Sequence, residues 1–198
     1  MDPLKYAIIA RDSYILPCNI GQQDSASRAI ILTNDDGLVV AIPGTDNIAC
    51  FLADLDIELE THIGMGVLHR GFCDAFLDIG DELLKLNPDV ITAHSLGAAI
   101  ALIYAASLCL CGKPPKAVYA FEPPRISIDN TIAQLLAANG VDLHLTRFGE
   151  DIVTQVPRLI HSWQHPSPLT AIGNAHFPFC NVEDHSIDNI VEYYSANQ

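Results

Sequence analysis

Positive charge is scarce in this chain: ten Lys and Arg stand against 24 Asp and Glu, a formal net charge of −14. Such a surface repels phosphate backbones and anionic bilayers, which argues against a nucleic-acid partner. Long apolar runs are missing too, since none reaches the roughly 20 residues that span a bilayer. The opening Met1-Asp2-Pro3-Leu4-Lys5-Tyr6 has neither a basic segment nor an apolar core before a cleavage site. The expectation is therefore a cytoplasmic protein, with export by another route left open. Six cysteines (Cys18, Cys50, Cys73, Cys109, Cys111, Cys180) lack any C-x-x-C spacing and sit in apolar contexts. They read as buried free thiols, not as metal ligands. Repeats, linkers and low-complexity tracts are absent as well.

What is present suits a single domain over residues 1–198, because 49% hydrophobic and 17% charged residues supply a sizeable core. Asp2-Pro3 is a cap followed by proline at the first helical position, and predicts a helix to about residue 14. Residues 15–27 read as a loop. Two β-type runs, 28–33 and 38–42, flank the turn Asn34-Asp35-Asp36-Gly37 and predict a hairpin. The second run is apolar on both alternations, as in a strand buried on both faces. Residues 47–53 make a short apolar helix candidate, and 54–60 alternate at period two like a half-exposed strand.

A helix from Phe72 to the Asn87-Pro88 stop is followed by a strand near 89–92 and a helix ending near Cys111-Gly112. Next come a strand over 116–121, a capped helix over 129–139 and a strand over 141–148. Residues 154–181 are proline-rich, hold the single Trp and show no periodicity, so they are expected to be irregular. Residues 183–194 form the last helix. Strands alternating with helices predict a three-layer α/β sandwich with a mainly parallel central sheet.

The most informative stretch runs Val90-Ile91-Thr92-Ala93-His94-Ser95-Leu96-Gly97-Ala98-Ala99. A strand that reverses directly into a helix presents the serine at its apex, and small residues on either side let strand and helix pass closely. Ala93 stands where the G-x-S-x-G pattern has its first glycine, and Gly97 keeps the second. A bare string of this kind also arises by chance at a helix start; the strand before and the helix after favour a nucleophile elbow with Ser95 at its tip. Gly44-Thr45, just past the buried strand, aims backbone donors at an oxyanion or else caps the following helix.

The segments Ile42-Pro43-Gly44-Thr45-Asp46, Phe51-Leu52-Ala53-Asp54-Leu55, Val67-Leu68-His69-Arg70-Gly71-Phe72, His94-Ser95-Leu96-Gly97, Gly149-Glu150-Asp151-Ile152-Val153 with Pro157, and finally His185 occur in a telling order. In that order the chain resembles class 3 (fungal-type) lipases of the α/β-hydrolase fold, over roughly residues 3–194. The resemblance implies Ser95 as nucleophile, Asp151 as triad acid and His185 as base. It also implies Thr45 and Leu96 as oxyanion-hole amides and a lid at residues 46–55. Pro43 departs from the arginine usual before Gly-Thr in this family, which removes a side chain that anchors the loop.

The residues themselves leave rivals. His161, His165 and His176 lie in the irregular segment within reach of the site, whereas His94 lies in the turn pointing elsewhere. Glu150 is a substitute for Asp151, while Asp129 caps a helix and Asp142 opens a strand at the opposite edge. His176, Cys180, Asp184 and His185 match no firm metal template, and His69 reads as structural. Phe51, Leu52, Leu55, Ile126, Ile152 and Val153 are the candidate lid and groove residues, with core packing the alternative for Phe51, Leu52 and Leu55. The expected activity is hydrolysis of lipid or other apolar acyl esters, without cofactor or metal and with transient contact to a lipid interface. Phospholipase A activity, acyl transfer and a binding module that has lost catalysis are the alternatives.

Overall fold

The Asp2 cap forms as its spacing predicts: the carboxylate accepts the Leu4 N–H at 2.9 Å, and Pro3 opens helix α1 (Pro3–Asp12). The computed structural model describes residues 2–45, 47–48, 52, 58–158, 162–177 and 181–198. Strands β1 (Ile20–Gly21), β2 (Arg28–Asn34) and β3 (Gly37–Ile42) pair antiparallel, β2 and β3 as the expected hairpin. A separate antiparallel pair, β4 (Leu59–His62) and β5 (Gly66–His69), leads into helix α2 (Arg70–Leu83). Most of the alternating run 54–60 and most of the lid candidate 46–55 lie outside the described residues.

Next come β6 (Val90–His94), α3 (Leu96–Leu110), β7 (Ala117–Phe121), α4 (Thr131–Ala138), β8 (Asp142–Phe148), β9 (Thr170–Ile172) and α5 (Ile187–Ala196). The seven-stranded sheet is ordered β1-β2-β3-β6-β7-β8-β9, and its pairs from β3 to β9 are all parallel. Helices cover both faces, so β6 and β7 are buried along their whole lengths and read as continuous apolar runs. On one face, α2 and α3 enclose the larger core; on the other, α1 and α5 enclose a smaller one that includes Tyr6 stacked on Tyr119 at 4.4 Å.

Three expectations need correction. The loop expected over 15–27 contains the two-residue strand β1, which pairs with β2 at the sheet edge. The segment 154–181 is not wholly irregular: Thr170–Ile172 adds β9 to the sheet edge, a three-residue strand too short to leave a periodic signal. The last helix starts at Ile187, not Glu183. Its would-be first turn is held open because the Asp184 carboxylate accepts the Glu150 N–H at 2.8 Å and the His176 N–H at 3.0 Å. Parallel register then sets the functional edge: Ile42 pairs with Ala93, and His94 with Phe121, which pairs with Thr146. The carboxyl ends of β3, β6, β7 and β8 therefore share one rim.

Candidate active site

Ser95 sits between β6 and α3 with φ 59 and ψ −130, one of two described non-glycine residues with positive φ. This is the strained apex that a direct strand-to-helix reversal requires. Its N–H donates to the Phe121 carbonyl at 3.0 Å, which ties the turn to the neighbouring strand. A Cβ on Gly97 would lie 2.3 Å from the carbonyl oxygens of both Ile42 and Pro43, so α3 starts hard against the end of β3. Ala93 is fully buried in the core, and its methyl is accommodated where glycine was the alternative.

His185, in the loop before α5, reaches both partners implied by the family pattern. Its Nε2 is 2.8 Å from Ser95 Oγ, and its Nδ1 is 2.9 Å from Asp151 Oδ2. A carboxylate only accepts, so Nδ1 carries the hydrogen and Nε2 offers its lone pair to the serine hydroxyl. Asp151 is fully buried, and its other oxygen accepts the Val153 N–H at 2.8 Å. The structure thus brings together three side chains that are 34 to 90 residues apart in the chain.

Among the described residues, the rival histidines His165 and His176 are engaged elsewhere. His165 Nε2 is 3.0 Å from the Thr154 carbonyl, and burial lowers its pKa to about 4. His176 Nδ1 lies 2.5 Å from Asp184, whose carboxylate also accepts the Glu150 N–H. His161 and Cys180 lie outside the described residues. Asp129 was expected to cap helix α4, but the N-cap position falls on Asn130; the Asp129 carboxylate, one residue earlier, accepts the Thr131 and Val67 N–H groups, each at 2.8 Å. His69 is buried and stacked on Phe72 at 4.1 Å.

Thr45 and Leu96 flank Ser95. Leu96 opens α3, where a helix leaves backbone N–H groups unpaired and the dipole favours negative charge. A Cβ on Gly44 would meet Ser95 Cβ at 2.6 Å, which sets the Gly44-Thr45 backbone directly against the serine. The capping alternative also has support, since Thr45 Oγ1 accepts the Asn47 N–H at 3.2 Å. Pro43 does not leave the loop unsupported: the Gly44 N–H donates to Tyr14 Oη at 2.9 Å, and Tyr14 reaches across from just beyond α1.

That tyrosine belongs to a buried polar cluster which the sequence reading missed. Tyr14 Oη is 2.6 Å from His94 Nδ1, and His94 Nε2 is 2.8 Å from Glu122 Oε2. Glu122 Oε2 in turn lies 3.5 Å from His185 Nδ1, and the two imidazole rings stack at 4.7 Å. His94 was expected to point away from the site; it packs against His185 instead. Burial, then the Asp151 charge, hold the Glu122 carboxyl well above its ordinary range. Burial, then the neighbouring His185, push the His94 imidazole well below its own. The only sequence signal for Glu122 is that it directly follows a buried strand, as Ser95 does. His94, Glu122 and His185 also bring ligand-type atoms within 4.8 Å of one another, but these same atoms are joined in the hydrogen-bonded cluster.

A cleft of about 460 Å³ opens onto this rim, lined in part by Tyr14, Ile15, Thr45, Ile48, His185 and Ile187. The groove candidates stand elsewhere. Ile126 is wholly buried in the core beside α3, because its strand-like neighbour Ser127 bridges to Leu68 and Gln164. Val153 is buried beneath Asp151 and supports its carboxylate through the backbone. Ile152 is half-buried, with its N–H on the Asn181 carbonyl, and Leu52 is half-buried and helical; neither lines this cleft. Phe51 and Leu55 lie outside the described residues.

Comparison with known proteins agrees with this architecture. The family model of lipase (class 3) matches residues 39–161. The secreted mono- and diacylglycerol lipase 1 of Fusarium solani is 26% identical over 175 residues, covering 81% of this chain and 52% of its own. The secreted mono- and diacylglycerol lipase A of Penicillium cyclopium is 28% identical over 168 residues, covering 77% and 54% respectively. The chain thus spans about half the length of these curated relatives. Both are named as secreted, which overturns the cytoplasmic expectation; a few opening residues and scattered thiols do not report where such a protein works. The triacylglyceride lipase of Rhizomucor miehei superposes with a TM-score of 0.74 at 19% identity, over 92% of this chain and 91% of that one. The fold is the α/β-hydrolase fold, and with 123 of 198 residues matched the chain belongs to the class 3 lipase family.

Proposed function

We propose that this chain is a secreted serine ester hydrolase acting on uncharged lipid esters of the mono- and diacylglycerol class. The observation that carries the reading is the unbroken hydrogen-bonded line from Ser95 Oγ through His185 to Asp151. Ser95 Oγ attacks the acyl carbonyl carbon while His185 Nε2 takes the hydroxyl proton. Asp151 keeps the imidazole in the productive tautomer and offsets the charge it gains. The Thr45 and Leu96 N–H groups stabilise the tetrahedral oxyanion, a contribution of about 3 kcal/mol for one such donor. His185 then returns the proton to the departing alcohol oxygen, leaving an acyl-enzyme. Water, deprotonated by the same imidazole, attacks the acyl carbon and releases the free acid and Ser95.

The substrate class rests on two supports. The two relatives are named for mono- and diacylglycerols, and the cleft offers Ile15, Ile48 and Ile187 to an acyl chain. A net charge of −14 disfavours anionic headgroups. In matched mixed micelles, turnover of monooleoylglycerol is expected to exceed that of dioleoylphosphatidylglycerol by about tenfold or more. Equal or faster release of fatty acid from the anionic lipid overturns this substrate class.

A further inference from the structure

Glu122 is placed where its identity is unexpected. It directly follows β7, the strand beside the one that carries Ser95, and its backbone has φ 54. That region suits glycine and strains a residue with a side chain. The strain is fixed on both sides: the Glu122 N–H donates to the Thr146 carbonyl at 2.7 Å, and the preceding carbonyl of Phe121 accepts from Ser95. The side chain is fully buried and ends at the imidazole already assigned to Asp151.

We propose that Glu122 is a second positioning acid of the site, a carboxyl aimed at His185 Nδ1 that steadies the imidazolium beside Asp151 and replaces it when Asp151 is removed. The inference rests on the hydrolase reading above. Its geometric basis is a single imidazole nitrogen with a carboxyl oxygen at 2.9 Å from Asp151 and another at 3.5 Å from Glu122. A movement of a few tenths of an ångström brings the second oxygen into hydrogen-bond range. His94, held by Tyr14, braces Glu122 from the opposite side at 2.8 Å, so the carboxyl has one direction in which to serve.

The surroundings explain why the acid stays in reserve. Glu122 faces His94 from the end of β6, His185 from the loop before α5, Asp151 from the loop after β8, and more distantly Asp184; the Phe148 backbone amide opposes their joint effect. Burial and the Asp151 charge, in that order, raise the pKa of the carboxyl, since two full negative charges at one imidazole repel. Removing the Asp151 charge removes the second cause and leaves Glu122 as the remaining carboxyl to compensate the imidazolium.

The test is a double-mutant cycle on ester hydrolysis with Asp151→Asn and Glu122→Gln. A triad acid with no deputy costs on the order of 10⁴ in kcat when changed to the amide. Here Asp151→Asn alone is expected to lose no more than about 10²-fold, and Glu122→Gln alone less than tenfold, while the double variant approaches the full 10⁴-fold loss. A second readout needs no Glu122 variant. In the fluorophosphonate-inhibited Asp151→Asn protein, the low-field proton of the His185 Nδ1–H remains visible by NMR, because a carboxyl still accepts it. A full 10⁴-fold loss in Asp151→Asn, effects that simply multiply, or loss of that resonance overturns the role of Glu122. Turnover that survives Ser95→Ala overturns the hydrolase reading as well, which separates the two failures.

Discussion

Ser95→Ala is expected to lower kcat for p-nitrophenyl ester hydrolysis by about four to six orders of magnitude while leaving the fold intact. The size of the effect follows from the arrangement of the three side chains. Among the described residues, the hydroxyl hydrogen-bonded to His185 Nε2 is that of Ser95 at 2.8 Å, the oxygen proposed above as the nucleophile. Without it the cleft and the proposed oxyanion donors remain, so a residual rate above water and a nearly unchanged KM are expected. Stability is expected to change little, because alanine at φ 59 carries the same backbone strain that serine does. Circular dichroism and thermal melting check that half; initial rates at saturating substrate check the other. Turnover within tenfold of the unaltered protein contradicts the assignment.

Gly97→Ala carries the largest expected effect on folding. The added methyl would stand 2.3 Å from two backbone carbonyl oxygens, those of Ile42 and Pro43. Neither carbonyl has room to yield: Ile42 pairs with Ala93 in the buried sheet, and the following Gly44 is itself pressed against Ser95. A cost of about 3 kcal/mol is expected for such overpacking. For a chain of this length that corresponds to roughly 6–12 °C in Tm. Because relief of the clash pushes α3 away from β3, the Leu96 and Thr45 amides separate, and activity falls with stability. An unchanged Tm by calorimetry contradicts the packing argument. At Ala93 the opposite holds, since a methyl at that position is already packed in the core.

These two residues also mark how far the sequence reaches. The turn at Ser95 was legible because an elbow demands small residues at fixed offsets between a strand and a helix, and local sterics dictate those offsets. That Asp151 and His185 meet Ser95 was legible only through their order along the chain; distance alone left His161, His165 and His176 as rivals. The hydrogen bonds that engage His165 and His176 depend on the packing of residues 154–184, which has no period to read. The parallel sheet followed from buried strands alternating with helices, yet three-residue β9 escaped because its pairing with β8 is tertiary. Likewise residues 183–186 looked helical by composition, and the Asp184 carboxylate overrode that preference by capturing the Glu150 and His176 amides.

The cluster of Tyr14, His94 and Glu122 was hidden for a related reason. Its members come from the end of α1, the end of β6 and the end of β7, and each taken alone has a bland role. Only the register that aligns His94 with Phe121 places Glu122 beside His185. The groove residues went astray because apolar character says a side chain is buried but not on which side of the sheet: Ile126 and Val153 are core, and the cleft uses Ile15, Ile48 and Ile187.

Labelling with a fluorophosphonate and mapping the modified peptide tests most directly whether folding has made one hydroxyl nucleophilic. A single adduct on Ser95, abolished by His185→Ala, is the predicted result. Modification of a different serine, or labelling of Ser95 that is indifferent to loss of the His185 imidazole, would contradict the account.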